Sequence, residues 1–185
     1  MKDVIVIGGG VAGLQAGVFT AKAGEETLVL DTGESFVKST SNIQNLITHD
    51  SIAGNEVLSK GKDKLENFGG KIREEEVTKL GKKGQKFKIT TEEAEYTSEY
   101  VIIASAGNTD YIELDVEFEE GVEGPYMMDQ HLVTDESNKA AEKVYAAGLV
   151  NSWEYQTSTA IGGGAKAAVN LLSDKKGEPY TDHDT

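Results

Sequence analysis

The chain contains no cysteine. A redox-active disulfide, a thiolate nucleophile and a cysteine-bound metal or cluster are therefore excluded among its own residues. Histidine is scarce. His49, His131 and His183 are scattered without ligand spacing, so each is expected on the surface or in a loop, and no metal site is expected. Arg73 is the only arginine among 18 Lys and Arg residues. No apolar run is long enough to cross a membrane, and Met1 leads straight into a strand-like segment with no signal peptide before it. The expectation is a soluble, cytoplasmic protein.

A positive balance is also missing, since the formal net charge is −14. Nucleic acid and anionic membranes are poor partners for such a chain. The acid is spread through Glu74-Glu75-Glu76, Glu92-Glu93, Glu117-Phe118-Glu119-Glu120 and the tail, runs that are expected to be solvated faces. The total suits a halophilic proteome, in which salt screens self-repulsion, or an ordinary acidic cytosolic protein.

What the chain does have is concentrated in residues 1–31. Asp3-Val4-Ile5-Val6-Ile7 reads as a strand buried on both faces. The turn Gly8-Gly9-Gly10-Val11-Ala12-Gly13 fits G-x-G-x-x-G. A helix through Gly24 follows, then the strand Thr27-Leu28-Val29-Leu30, closed by Asp31. Strand, glycine turn, helix, strand and acid are the ordered parts of a dinucleotide-binding unit. Gly8 permits the tight turn, Gly10 lets a pyrophosphate approach the backbone, and Gly13 lets the helix lie close to the sheet. Gly17 extends that contact one turn on. The helix N-terminus attracts phosphate. Asp31 can accept hydrogen bonds from both ribose hydroxyls and would repel a 2′-phosphate, which favours FAD or NAD over NADP. A glycine-rich turn that binds nothing is the bland reading, and the complete context weighs against it.

The length of 185 residues suits one domain with a sizeable core. Residues 54–68 read as a helix with Val57, Leu58, Leu65 and Phe68 inward, ended by Gly69-Gly70. Lys71-Ile72-Arg73 opens a small β section. It continues as a period-two meander through Val77-Thr78-Lys79-Leu80, Phe87-Lys88-Ile89-Thr90 and Glu95-Tyr96. Tyr100-Val101-Ile102-Ile103-Ala104 is again fully apolar and should return to the central parallel sheet. Residues 111–120 and 126–134 are read as extended segments, and 144–148 as a last core strand. Residues 157–172 read as a helix. Its small-residue start at Gly162-Gly163-Gly164 is expected to admit a second part of a ligand. The fold class is α/β: a Rossmann-like FAD/NAD(P)-binding domain, its central parallel sheet joined by a β-meander crossover. Residues 1–173 form the domain and 174–185 a polar tail.

The ordered set of motifs resembles the FAD-binding domain of thioredoxin reductases, in the pyridine nucleotide-disulfide oxidoreductase superfamily. Four segments carry the resemblance. They are the glycine turn with Asp31; Ser39-Thr40-Ser41-Asn42-Ile43-Gln44-Asn45; Tyr100 through Ala104-Ser105-Ala106-Gly107; and Val144-Tyr145-Ala146-Ala147-Gly148 through Tyr155-Gln156-Thr157 to Ala168. More narrowly, the chain is similar to short single-domain reductase-like proteins of halophilic archaea. The resemblance implies FAD in an extended pose, with NAD as the alternative. ADP would lie on Gly8, Gly10, Val11, Ala12, Gly13, Asp31 and Thr32, with adenine beside Val77. Thr40, Asn45, Ala104, Ser105 and Ala106 would sit near the flavin half. Gly148, Leu149, Gln156 and Thr157 would contact the ribityl chain and ring.

The departures from that family are informative. About 40 residues separate Gly107 from Gly148, too few for a separate NAD(P)H domain, and no second glycine motif occurs there. The family's Cys-x-x-Cys is missing, so disulfide exchange is excluded. Leu149 stands where relatives carry an aspartate that holds the ribityl chain, and it cannot accept that hydrogen bond. Tyr155 stands where relatives often have arginine.

Two functions remain. One is an FAD-dependent oxidoreductase supplied by a small-molecule or protein electron donor, with a homodimer compatible. The other is a non-catalytic FAD- or NAD-binding sensor or interaction module. No catalytic residue is assigned. His49 and His131 are acid/base candidates by residue type alone, and Trp153 and Tyr155 are candidates to stack near the ring.

Overall fold

Val4, Ile5, Val6 and Ile7 of β1 (Lys2–Ile7) are all buried, so both faces of this strand must be covered. The computed structural model describes residues 1–106, 109–120 and 129–182. In it, helices cover one face and a β-meander covers the other. After β1 come α1 (Val11–Lys22), β2 (Thr27–Asp31), a 3-10 turn (Phe36–Ser39), α2 (Gly54–Asn67) and β3 (Lys71–Glu74). The meander strands β4 (Val77–Lys83) and β5 (Lys86–Thr91) lead into β6 (Glu95–Ile103). Then follow β7 (Phe118–Glu120), β8 (Gln130–Leu132), β9 (Lys139–Ala141), β10 (Val144–Ala146), a second 3-10 turn (Gly148–Val150) and α3 (Thr157–Lys176).

The main sheet runs β3-β2-β1-β6-β10-β9. The first five strands are parallel and β9 is antiparallel on the β10 edge. The expected α/β class with a mostly parallel sheet is thus the observed one. β6 joins the two β layers. Its first half pairs antiparallel with β5, and from Ser98 onward it pairs parallel with β1. Val4 and Val6 pack with Leu14, Leu65, Leu171 and Leu172 of the helices. Ile5 and Ile7 pack with Leu80, Phe87 and Ile89 of the meander. Among the described residues no helix is long and apolar enough to cross a membrane.

Two backbone contacts set how closely the helix layer sits. A Cβ at Gly13 would overlap the Gly8 carbonyl oxygen, so only glycine lets α1 leave the turn at this angle. A Cβ at Gly164 would overlap the Ala12 carbonyl oxygen, so α3 crosses α1 at backbone contact. Gly164 is therefore a packing residue. This corrects the expectation that the glycine cluster of α3 receives ligand. Gly162 faces open space, and the backbone N of Gly148 is the atom nearest to where a Gly163 Cβ would stand.

Several other expectations change. Lys71–Glu74 does not open the meander but adds β3 to the edge of the parallel sheet, with Ile72 beside Val29. Phe68 is exposed rather than inward. It lies just past the end of α2, and the Lys22 ammonium sits 5.9 Å from its ring centroid. α3 runs on to Lys176 and ends at Gly177 in the left-handed conformation, so residues 174–176 are helical rather than tail. Lys175 then reaches Glu25 at 2.6 Å, Asp3 at 3.3 Å and Glu99 at 3.6 Å. It ties the end of α3 to the N-terminal ends of the strands. The extended segment expected over 126–134 contains β8, with 126–128 outside the described residues, as are Gly107 and His183.

Glu75 overturns the reading of the Glu74-Glu75-Glu76 run as a solvated face. Its side chain is 7% exposed. It accepts hydrogen bonds from Tyr96 Oη at 2.7 Å, Thr91 Oγ1 at 2.7 Å and Arg73 at 3.3 Å. Burial pushes its pKa up, but these bonds outweigh burial and hold the carboxyl below the usual range. Its backbone N–H donates to the Asp31 carbonyl at 3.0 Å. The cluster therefore fixes the tip of β2.

The Gly164→Ala variant should lose about 1–3 kcal/mol of stability by overpacking. Gly162→Ala should gain about 0.5–1 kcal/mol from helix propensity; thermal unfolding of the pair followed by circular dichroism checks both signs. The depressed Glu75 pKa gives stability that is present above its unfolded value and lost as pH falls through the lower folded value. Glu75→Gln should thus be about 1–3 kcal/mol less stable near neutral pH, by loss of a buried charge-assisted network. Its deficit should shrink as pH falls from 4.5 downward, read by denaturant unfolding at each pH.

Candidate functional site

The parallel strands β2, β1, β6 and β10 end on the same side of the sheet, and a cleft of about 730 Å³ opens there. That volume lies in the range of small-molecule and cofactor sites. All the residues expected to bind the cofactor border this cleft except Gly13, which is buried behind the turn. Gly8, Gly10, Val11 and Ala12 form one wall, Asp31 and Thr32 the next, and Val77 closes that end. Ala104, Ser105 and Ala106 lie at its floor. Thr40, Asn45, Gly148, Leu149, Gln156 and Thr157 enclose the other end.

Gly8 makes the sharp exit from β1 with φ at +101°, and a Cβ there would come 2.6 Å from the Ala104 carbonyl oxygen. The turn and the end of β6 are therefore pressed together. Gly10 precedes α1, and no side chain caps that helix. The nearest atom to where its Cβ would stand is Ser35 Oγ at 3.3 Å, so the free N–H groups of the first turn of α1 open onto the cleft. α3 likewise starts at the cleft, after Gln156, with no side-chain cap.

Asp31 is buried at the end of β2. Its Oδ1 accepts the Gly9 N–H at 3.0 Å and its Oδ2 lies 3.8 Å from Lys62 Nζ. A carboxylate has further lone pairs, so ribose hydroxyls can still be accepted. Gly9, which the motif leaves as x, also borders the cleft. A Cβ there would run into the Asp31 carboxylate. The close seating of Asp31 on the turn is the physical signal that the spacing alone does not carry.

The loop between the 3-10 turn and α2 is closed by an antiparallel bridge of Ile43 with Ile52 and by Gly54 N–H donating to the Thr40 carbonyl at 2.8 Å. It holds Asn45 so that Nδ2 donates to Gln156 Oε1 at 2.8 Å. This bond joins two predicted residues 111 positions apart. Leu149 lies in the 3-10 turn after β10 and presents an apolar side chain to the cleft. Among the described residues the charged ones lining the cleft are Asp31, Glu34, Glu75, Glu76 and Glu154, with no lysine or arginine. Attraction for phosphate must then come from backbone N–H groups, helix dipoles and hydroxyls.

Tyr111 is a lining residue that no motif marked. It follows the end of β6 and packs with Leu80 of the meander, whose N–H donates to the Tyr111 carbonyl at 2.7 Å. Its phenol is hydrogen-bonded to Ser105 Oγ at 2.7 Å, and burial pushes its pKa up to about 12. Tyr155 borders the cleft with its ring edge-on to Phe36, centroids 6.2 Å apart. Trp153, 68% exposed, does not line the cleft. Neither histidine candidate reaches it. His49 pairs with Thr48 Oγ1 at 2.9 Å in the 40–53 loop. His131 is 5% exposed in β8, opposite Glu119, which corrects the expectation of a surface or loop position.

Known proteins bear on this arrangement. The family described as pyridine nucleotide-disulphide oxidoreductase matches residues 2–168. The thioredoxin reductase of Treponema pallidum is 31% identical over 153 residues, 75% of this chain and 49% of that protein. The chain thus spans between a third and a half of the length of the curated relatives it matches. A thioredoxin reductase from Gloeobacter violaceus superposes with a TM-score of 0.82 at 15% identity, covering 100% of this chain and 98% of that one. A ferredoxin-flavin thioredoxin reductase from Clostridium acetobutylicum gives 0.75 at 17% identity, covering 96% and 99%. At such identities the structural likeness establishes the fold. The last of these is named for a flavin. With a match reaching from β1 into α3, and with the glycine turn, Asp31 and the two helix N-termini around one cleft, this chain belongs to the pyridine nucleotide-disulphide oxidoreductase family and has the FAD-domain fold of the thioredoxin reductases.

Proposed function

We propose that the chain is an FAD-dependent oxidoreductase whose electrons come from a diffusible donor or a partner protein. The observation that carries this reading is the single cleft into which both uncapped helix N-termini, Asp31 and the Asn45–Gln156 pair converge. FAD, when bound, supplies hydride and electron transfer. The chain supplies position and electrostatics.

The residues present fit the ADP half of that cofactor. The turn through Gly8, Gly9 and Gly10 leaves room for a pyrophosphate, the first turn of α1 offers unpaired N–H donors, and Asp31 offers acceptors for the ribose. Val77, with Glu75 and Glu76, borders the end of the cleft where adenine would lie. At the other end, Asn45 and Gln156 are amides that can donate and accept, and the N-terminus of α3 favours negative charge on whatever lies before it. With no cysteine in the chain, disulfide exchange is not available to its own residues. The donor, the acceptor, a homodimer and a cytoplasmic setting remain part of this proposal.

Leu149 favours a second reading, a nucleotide-binding module without turnover. An apolar side chain there removes an acceptor for the ribityl hydroxyls while leaving the ADP half intact.

Purification at high salt, addition of excess FAD and desalting should leave flavin absorbance near one per chain. Loss of the flavin bands with circular dichroism unchanged would sink the oxidoreductase and favour the binding module. Leu149→Asp should tighten FAD by about tenfold or more, the worth of one restored hydrogen bond in a buried site. Quenching of flavin fluorescence measures it.

A further inference from the structure

We propose that the Tyr111 and Ser105 hydroxyls act as one donor unit that holds a diphosphate oxygen of the nucleotide at the glycine turn. This gives the cleft a preference for diphosphate-bearing nucleotides over nucleosides. The inference rests on the nucleotide reading above and extends it to a residue outside every motif.

The geometry carries the assignment. Tyr111 is 9% exposed, borders the cleft and has its phenol 2.7 Å from Ser105 Oγ. Ser105 belongs to the segment that abuts the glycine turn, for its backbone N lies 2.8 Å from where a Gly8 Cβ would stand. The Ser105 backbone thus lies beside the turn, and both hydroxyl-bearing residues border the same cleft as that turn.

Proton counting says what the pair can do. Each hydroxyl has one proton and can also accept. One proton is used in the bond between them, whichever atom donates. The other is left over, and inside the cleft it needs an acceptor. A phosphate oxygen is the strongest acceptor a nucleotide offers, and a bond to it is charge-assisted. The need is specific to this cleft, because no lysine or arginine among the described residues lines it. The high phenol pKa, raised by burial, keeps Tyr111 protonated throughout the physiological range. The ring is fixed by Leu80 and the meander, so Tyr111 also sets the direction in which the Ser105 hydroxyl points.

The test measures dissociation constants for ADP and adenosine by calorimetry, and for FAD by fluorescence quenching, on the full chain. Tyr111→Phe and Ser105→Ala should each weaken ADP and FAD by about tenfold, the worth of one hydrogen bond to a charged group. Adenosine should change less than twofold. Because the hydroxyls act as a unit, the double variant should lose little more than the stronger single one. Ser105→Thr, which keeps the hydroxyl, should bind ADP like the parent. Melting temperatures guard against a packing defect, since a Phe at 111 keeps the ring. Equal losses for ADP and adenosine would overturn the diphosphate assignment, as would unchanged ADP binding in both single variants. Parent protein that binds ADP but not FAD would overturn the flavin reading and leave this assignment standing. Binding of neither would end both.

Discussion

The structure depends on backbone-to-backbone contact around the N-terminus of α1. Gly13 sits against the Gly8 carbonyl and Gly164 against the Ala12 carbonyl, and the Gly8 turn presses on the end of β6. These contacts leave no space for side chains, so the turn, the β6 end and the start of α3 meet within a few ångströms. The cleft is the place where that packing stops. Everything that lines it, from Asp31 to Gln156, is held there by elements whose positions those contacts fix.

Electrostatics then decide how the cleft works. The chain is strongly acidic, yet its lysines are largely paired. Lys175 alone faces Asp3, Glu25 and Glu99 at the end of the sheet away from the cleft. Among the described residues the cleft itself is lined by carboxylates and by no lysine or arginine. An anionic ligand would therefore be recognised by oriented N–H groups and hydroxyls, whose dipoles cost no burial of a full charge. Asp31 fits this scheme, since the Gly9 N–H and Lys62 offset its charge while it borders the cleft.

The first thirty-one residues were legible because their information is local. Strand, turn, helix and acid occur at spacings that one supersecondary unit imposes. The cleft-bordering residues of the later segments were legible from their order. What failed to read was non-local. Lys71–Glu74 is short and mostly exposed, and only its pairing with β2 puts it in the parallel sheet. His131 is buried by the β7–β8 pairing, which its own neighbours do not announce. Glu75 looked solvated inside an acidic triplet, because its partners Tyr96 and Thr91 come from the meander. Glycines 162–164 have one composition and three environments, so composition alone could not tell a ligand approach from a helix crossing. Tyr111 carries no pattern at all.

The contact between α1 and α3 has a consequence for how the protein is made. The two helix N-termini at the cleft, at Val11 and Thr157, are far apart in sequence, so the cleft is not complete until α3 is free of the ribosome. Until then α1 has one face without its cover, and β6 must already hold both β layers together. Such long sequence separation between contacting elements slows folding and lengthens the time that apolar surface is open to aggregation. A nascent chain in which β1 to β10 have emerged still waits for α3, and the cleft is complete only once that helix has docked.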